Sequence, residues 1–233
     1  MCYEYAMKRI LMLSVLCCVA FGVEAADKAK LDQRARHLIQ LFEAMHAKTD
    51  KAVPADVLKK AQGVILLERT KAGFVFAYQG GSGIAISRDP ESGDWSPIAF
   101  LKANEASLGF QIGGQKSFLV ILLMTKDGTR LLTDPTFEVG GEARGTAGDS
   151  SAGAESTISS TERPVLVYDE RQGLFGGAAI KGGAIAADEE ANRDYYSDFV
   201  TLKEILFENK VKPTKTAQDL AEKLQSFSKK QAK

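Results

Sequence analysis

The residues able to do chemistry are few in this sequence, and their spacing is poor for catalysis. The two histidines, His37 and His46, stand nine positions apart. At about 100° per residue they leave a helix from opposing faces, so they cannot share a metal as an i,i+4 pair would. Both are expected as exposed helix residues. Ser82, in Gly80-Gly81-Ser82-Gly83-Ile84, departs from a nucleophile elbow because Ile84 stands where the closing glycine belongs. Gly109 to Ser117 resembles a phosphate loop, but Gln115 separates the second glycine from Lys116. A phosphate loop needs its lysine directly after that glycine. Asp89, Glu91 and Asp94 gather before Trp95. A solvated turn is the expected reading there, with a weak calcium site as the alternative. The expectation is a protein that is not an enzyme and needs no metal or cofactor.

A binding chemistry reads better. Arg69, Lys71, Lys116, Arg171 and Lys181 lie on or beside glycine-rich, strand-like runs. Cations next to backbone amides can hold a phosphate; the alternative is scattered, solvated charge. From Gly63 to Ala187, short apolar runs alternate with Gly, Asp and Asn turn signals: Val64–Leu67, Phe74–Tyr78, Ile84–Ser87, Ile98–Leu101, Leu108–Ile112, Phe118–Met124 and Val165–Tyr168. Asp127-Gly128 reads as a hairpin or tight turn. The roughly ten-residue spacing predicts an α+β fold, with a curved antiparallel sheet or small barrel flanked by N- and C-terminal helices. Glycines inside strands predict bulges, bends or close approaches. The pattern at 71–86 recurs at 171–187, which suggests either pseudo-symmetric halves or chance. Gly145 to Ser160 is a small-residue loop or strand.

Helical periodicity brackets the sheet. Over Asp27–Lys48 the residues Leu31, Leu38, Phe42 and Met45 form an apolar stripe with a mainly basic opposite side. The stripe suits packing on a core or lying in a membrane surface. Ala55–Ala61 predicts a short helix after Pro54. Asn192–Glu208 predicts one helix and Thr214–Phe227 another.

Length and charge set the outer bounds. At 233 residues the chain suggests one domain, able to bury a sizeable core. Lys+Arg and Asp+Glu are 30 each, so the basic excess of a nucleic-acid binder is absent. Lys8-Arg9, the apolar run Ile10–Phe21 and Val23-Glu24-Ala25 form the three parts of a secretory signal. A run of 12 residues spans only about 18 Å as a helix, too short for a bilayer. Residues 1–25 are therefore expected to be cleaved, leaving one domain over 26–230 that is exported to the periplasm or envelope. Cys2, Cys17 and Cys18 would leave with the signal, so no disulfide is expected. Leu16 before Cys17 is not the small residue a lipobox asks for, so lipid anchoring is not expected.

Several ordered motifs resemble the SYLF (Ysc84-like) family, in a bacterial secreted form. They are Pro54 to Ile65; Lys71-Ala-Gly73-Phe74 with Gly80-Gly81-Ser82-Gly83; Trp95-Ser96-Pro97; Gly109-Phe110-Gln111-Ile112-Gly113; Tyr168 with Arg171 and Gly173-Leu174-Phe175-x-Gly177; and Asn192-x-x-Tyr195-Tyr196. The stretch Gly148-Asp149-Ser150-Ser151 departs from the family's Gly-Pro-x-Gly-Arg. The resemblance implies non-enzymatic lipid binding. For an exported chain it points to an anionic phospholipid surface of the envelope. A protein-interaction or scaffold module is the alternative.

Overall fold

A computed structural model describes residues 27–48, 51–73, 77–107, 113–133, 136–138, 164–170, 173–175 and 184–229. Its centre is an eight-stranded antiparallel sheet. The strands are β1 Gly63–Gly73, β2 Ala77–Ser87, β3 Ala99–Ser107, β4 Gly113–Leu123, β5 Thr136–Glu138, β6 Val165–Asp169, β7 Gly173–Phe175 and β8 Ala184–Ala187. Their order is β5-β8-β3-β2-β1-β4-β6-β7. Among the described residues β5 and β7 end an open sheet, so the α+β expectation holds in its sheet form rather than as a barrel.

The continuous apolar runs of β1 and β4 have a direct consequence. Alternate side chains leave opposite faces of a strand, so a run without polar breaks must be covered on both sides. Val64 and Leu66 of β1, with Phe118, Val120 and Leu122 of β4, join one cluster. Ile65, Leu67, Leu119, Ile121 and Leu123 join the other. The first face is covered by α1 (27–46), α2 (Ala55–Lys60), α4 (Glu189–Tyr196) and α6 (Lys215–Lys229). Among the described residues the second is covered by the 3₁₀ turn at Leu131–Thr133 and by α5 (Leu202–Leu206).

Several expectations change here. The predicted helix over Asn192–Glu208 is two helices. Ser197 adopts a left-handed conformation, φ 54°, and ends α4. Thr201 then opens α5 with a capping box closed by Glu204. The echo between 71–86 and 171–187 has no topological counterpart. β1 and β2 are neighbours, whereas β7 ends one side of the sheet and β8 lies near the other. The Leu108–Ile112 strand and the loop over Gly145–Ser160 fall outside the described residues.

The glycines of β2 mark close approach rather than a bulge, since β1 and β2 pair without a slip from Gly63↔Ser87 to Gly73↔Ala77. A Cβ on Gly81 would lie 2.9 Å from the Glu68 carbonyl oxygen and 3.3 Å from Cγ of Arg69. Asp127-Gly128 is not a hairpin. It lies inside α3, Lys126–Arg130, where Gly128 N–H donates to Thr125 Oγ1 at 3.1 Å. A Cβ on Gly128 would sit 2.4 Å from the Pro164 carbonyl oxygen, which also accepts from Met124 N–H at 2.9 Å. Gly128→Ala is therefore expected to cost about 1–3 kcal/mol by forcing α3 off β6, read as a lower urea midpoint with an unchanged slope.

Candidate functional site

Of the sequence-predicted cations, Arg69 and Lys116 do not converge. Arg69 and Lys116 lie on strands paired in the register Arg69↔Ser117 and Thr70↔Lys116, which places them on opposite faces. Arg69 is buried, while Lys116 is exposed and sits 3.5 Å from Glu68. Lys71 lies in β1 opposite Gln79 and Gln115. Arg171 and Lys181 are outside the described residues.

The stripe of α1 is occupied by the protein itself. Leu38, Phe42 and Met45 are 1%, 0% and 0% exposed within the main core, and Leu31 packs partly buried against it. Phe42 stands edge-on to Phe227 at 5.5 Å. Polar contacts reinforce the seat: Arg34 to Asp188 at 2.9 Å, Lys223 to Glu43 at 2.6 Å, and Tyr195 OH donating to Asp32 at 3.1 Å. Burial pushes the Asp32 carboxyl up, but hydrogen bonds from Thr216, Arg36 and Tyr195 outweigh it and hold the group below its ordinary value. Four or five buried apolar side chains contribute about 2 kcal/mol each. Their sum rivals the whole stability of an ordinary domain. Releasing α1 to a membrane would thus dismantle the core, and in this fold these four residues are packing residues.

The histidines divide as well. His37 is half exposed, 3.5 Å from Glu68. His46 is half-buried rather than exposed, stacked on Phe227 at 4.3 Å. At the acidic loop, the Asp89 carboxylate accepts from the Glu91 and Ser92 amides, both at 2.8 Å. Those bonds hold its pKa down and make it the brace of the turn. Among the described residues no group of three or more His, Cys, Asp and Glu side chains could hold a metal.

Burial draws attention elsewhere. Among the described residues the large hydrophobic ones left exposed are Phe199, at 79%, and Phe207, at 36%. They bracket α5, whose Leu202, Ile205 and Leu206 are buried against the sheet. The single helix expected over Asn192–Glu208 would hold Phe199 within it. The break at Ser197 places it outside one instead, between Arg193, 5.7 Å from its ring, and the buried Val200. Hydrogen bonds from Lys210 and Thr201 hold Glu204 at a pKa of about 2, so the α5 cap is fully formed at neutral pH. A hollow of about 360 Å³ beside Phe199 is lined by Ala187, Val200 and Leu202 together with Glu189, Arg193 and Lys203. The turn thus presents an aromatic ring among charges of both signs, Arg193 paired with Asp194 at 3.1 Å and Lys203 with Glu208 at 2.7 Å.

A family described as "Ysc84: Las17-binding protein actin regulator" matches residues 104–227. The yeast LAS seventeen-binding protein 3 (Saccharomyces cerevisiae) is 32% identical over 181 residues, covering 76% of this chain and 39% of the relative. The human SH3 domain-containing YSC84-like protein 1 (Homo sapiens) is 32% identical over 183 residues, covering 78% of this chain and 53% of the relative. The chain belongs to the Ysc84 family. It spans between two-fifths and about half of these relatives. No solved structure gives a significant match.

The motifs behind the SYLF resemblance are largely architectural in this Ysc84-family fold. Tyr168 is 2% exposed, and burial pushes its hydroxyl up to about 12. Asn192 binds the Phe100 backbone, and the Tyr196 hydroxyl donates to the Ile98 carbonyl.

Proposed function

We propose that this chain is a non-catalytic binding module for the surface of an anionic phospholipid membrane, and that the α3–α5 side of the sheet is the surface it uses. The observation that carries the reading is the pair Phe199 and Phe207, exposed at the two ends of a helix whose other side is core. Exposed aromatic rings, with Arg88, Lys126 and Arg130 beside Phe207, suit the headgroup boundary, where apolar area and attraction to anionic lipid add. The membrane would be one of the envelope to which residues 1–25 direct an exported chain. The second reading, a protein partner, is favoured by the relatives named as binding LAS seventeen.

Vesicle sedimentation separates the two. Binding is expected to rise with the phosphatidylglycerol fraction of phosphatidylcholine vesicles and to fall between about 50 and 500 mM salt, as the Debye length shortens from about 14 to about 4 Å. Equal pelleting with and without vesicles would remove the lipid reading and leave the protein-partner one.

A further inference from the structure

We infer that the hollow between α3 and the end of α5 is a headgroup site for one anionic phospholipid, an assignment that rests on the membrane reading above. The hollow has a volume of about 240 Å³ and is lined by Arg88, Lys126, Arg130, Pro90 and Phe207 among others. Three of its lining residues are cations and none is a carboxylate.

Arg88 carries the argument. Its backbone is pinned at the end of β2, with N–H donating to the Gln62 carbonyl at 2.7 Å. Its guanidinium lies 4.6 Å over the Trp95 ring and donates to the Lys59 carbonyl at 2.9 Å. Nε is buried and makes no hydrogen bond, and among the described residues no carboxylate pairs with this side chain. Burial lowers its pKa, yet a guanidinium remains charged in a protein. A partly buried cation held without a counter-ion is costly, and a bound anion relieves that cost.

The other two cations are placed to complete the cradle. Lys126 and Arg130 stand one helical turn apart on α3, on one face. Gly128 fixes that helix against Pro164. Arg130 pairs with Asp127 at 2.9 Å, but both side chains are more than three-quarters exposed. Such a pair is worth little, so a phosphate competes with it readily. Asp89, next to Pro90, is already committed to its own turn. Phe207 and Pro90 supply an apolar wall. The space equals roughly eight waters, enough for a phosphate ester and its glycerol but not for acyl chains. The tails would remain in the bilayer beside Phe199.

The test uses the full chain with Lys126→Glu/Arg130→Glu, two exposed positions whose exchange leaves the core intact. A control, Lys28→Glu/Lys102→Glu, makes the same change of charge on exposed residues elsewhere. The α3 variant is expected to lose at least about tenfold in partitioning to phosphatidylglycerol vesicles, and the control less than about threefold. Trp95, the single tryptophan, reports the site through Arg88, whose guanidinium lies 4.6 Å from its ring. Dihexanoyl-phosphatidylglycerol is expected to shift its emission in the wild-type chain and in the control, and inorganic phosphate at the same concentration is not. Equal losses in both variants, or an α3 variant that binds like wild type, would overturn the headgroup site while leaving the membrane reading in place. The same emission shift with inorganic phosphate would overturn the lipid assignment. A wild-type chain that ignores vesicles removes both.

Discussion

Phe42→Ala is expected to lower the free energy of unfolding by about 3–5 kcal/mol, the usual cost of removing a fully buried phenylalanine. The ring is 0% exposed, edge-on to Phe227 and His46, and surrounded by the main core. A ring held in reserve for a membrane would lie on the surface of the free protein, and its loss would cost within about 0.5 kcal/mol. The two pictures therefore differ several-fold in a quantity that urea denaturation measures well, read as a shift of midpoint at constant slope. A loss below about 1 kcal/mol would mean that α1 is not seated as described. Should Phe42→Ala fail to fold at all, Leu38→Val keeps the test open with a milder truncation of a residue 1% exposed.

This result bears on how amphipathic helices are read. The stripe Leu31, Leu38, Phe42 and Met45 repeats every three or four residues, and that period is the same whether the apolar partner is a sheet or a bilayer. The sequence thus announces a buried face without naming what buries it. Only the fold decides, because both faces of β1 and β4 are apolar and need cover. That need was itself legible in the unbroken runs Val64–Leu67 and Phe118–Met124. So were parts of β1, β2, β3, β4 and β6, the antiparallel sheet and most helix positions, since hydrophobic period and glycine punctuation are local signals; the short strands β5, β7 and β8 were not among the predicted runs.

The candidate site was not legible in the same way. Arg69 and Lys116 both lie on strands that carry glycines, Gly73 and Gly114, but strand pairing sends them to opposite faces. Arg88, Lys126 and Phe207 come from three distant segments, and nothing in their local sequence ties them together. One signal was available: Trp95, lone and beside an acidic turn, asks for a partner, and Arg88 across the same loop supplies it. Phe199 was hidden by its spacing to Leu202 and Ile205, which imitates a helix that Ser197 in fact ends.

Asn192→Asp is expected to cost about 3 kcal/mol at neutral pH and much less in acid, and the reason lies in how β3 ends its pairing. β8 pairs with β3 only as far as Leu101↔Ala187. One residue further, Phe100 still has a buried N–H and C=O facing that side. Asp188 N–H donates to the Phe100 carbonyl at 3.0 Å, and the Asn192 carboxamide completes the pairing. Its Oδ1 accepts from Phe100 N–H at 2.7 Å and its Nδ2 donates to Phe100 C=O at 3.0 Å. The side chain imitates a peptide of the missing strand, at 1% exposure. An ionised aspartate keeps the first bond but turns a second oxygen toward the carbonyl, in a site where an unpaired charge is heavily penalised. A protonated aspartate restores both bonds. Its folded-state pKa must then lie above the unfolded value of about 3.9. The sign follows: a carboxyl with a raised folded pKa binds more protons when folded, so stability falls as pH rises between the two values. The penalty relative to wild type is therefore near its minimum below about pH 4 and complete once pH passes the raised value. Paired urea midpoints of wild type and variant at about pH 4 and pH 7.5 read the difference directly. A penalty equal at both values would show that the carboxamide does not bridge Phe100, and the Asn192-x-x-Tyr195-Tyr196 motif would then need a role at the surface instead of in the frame.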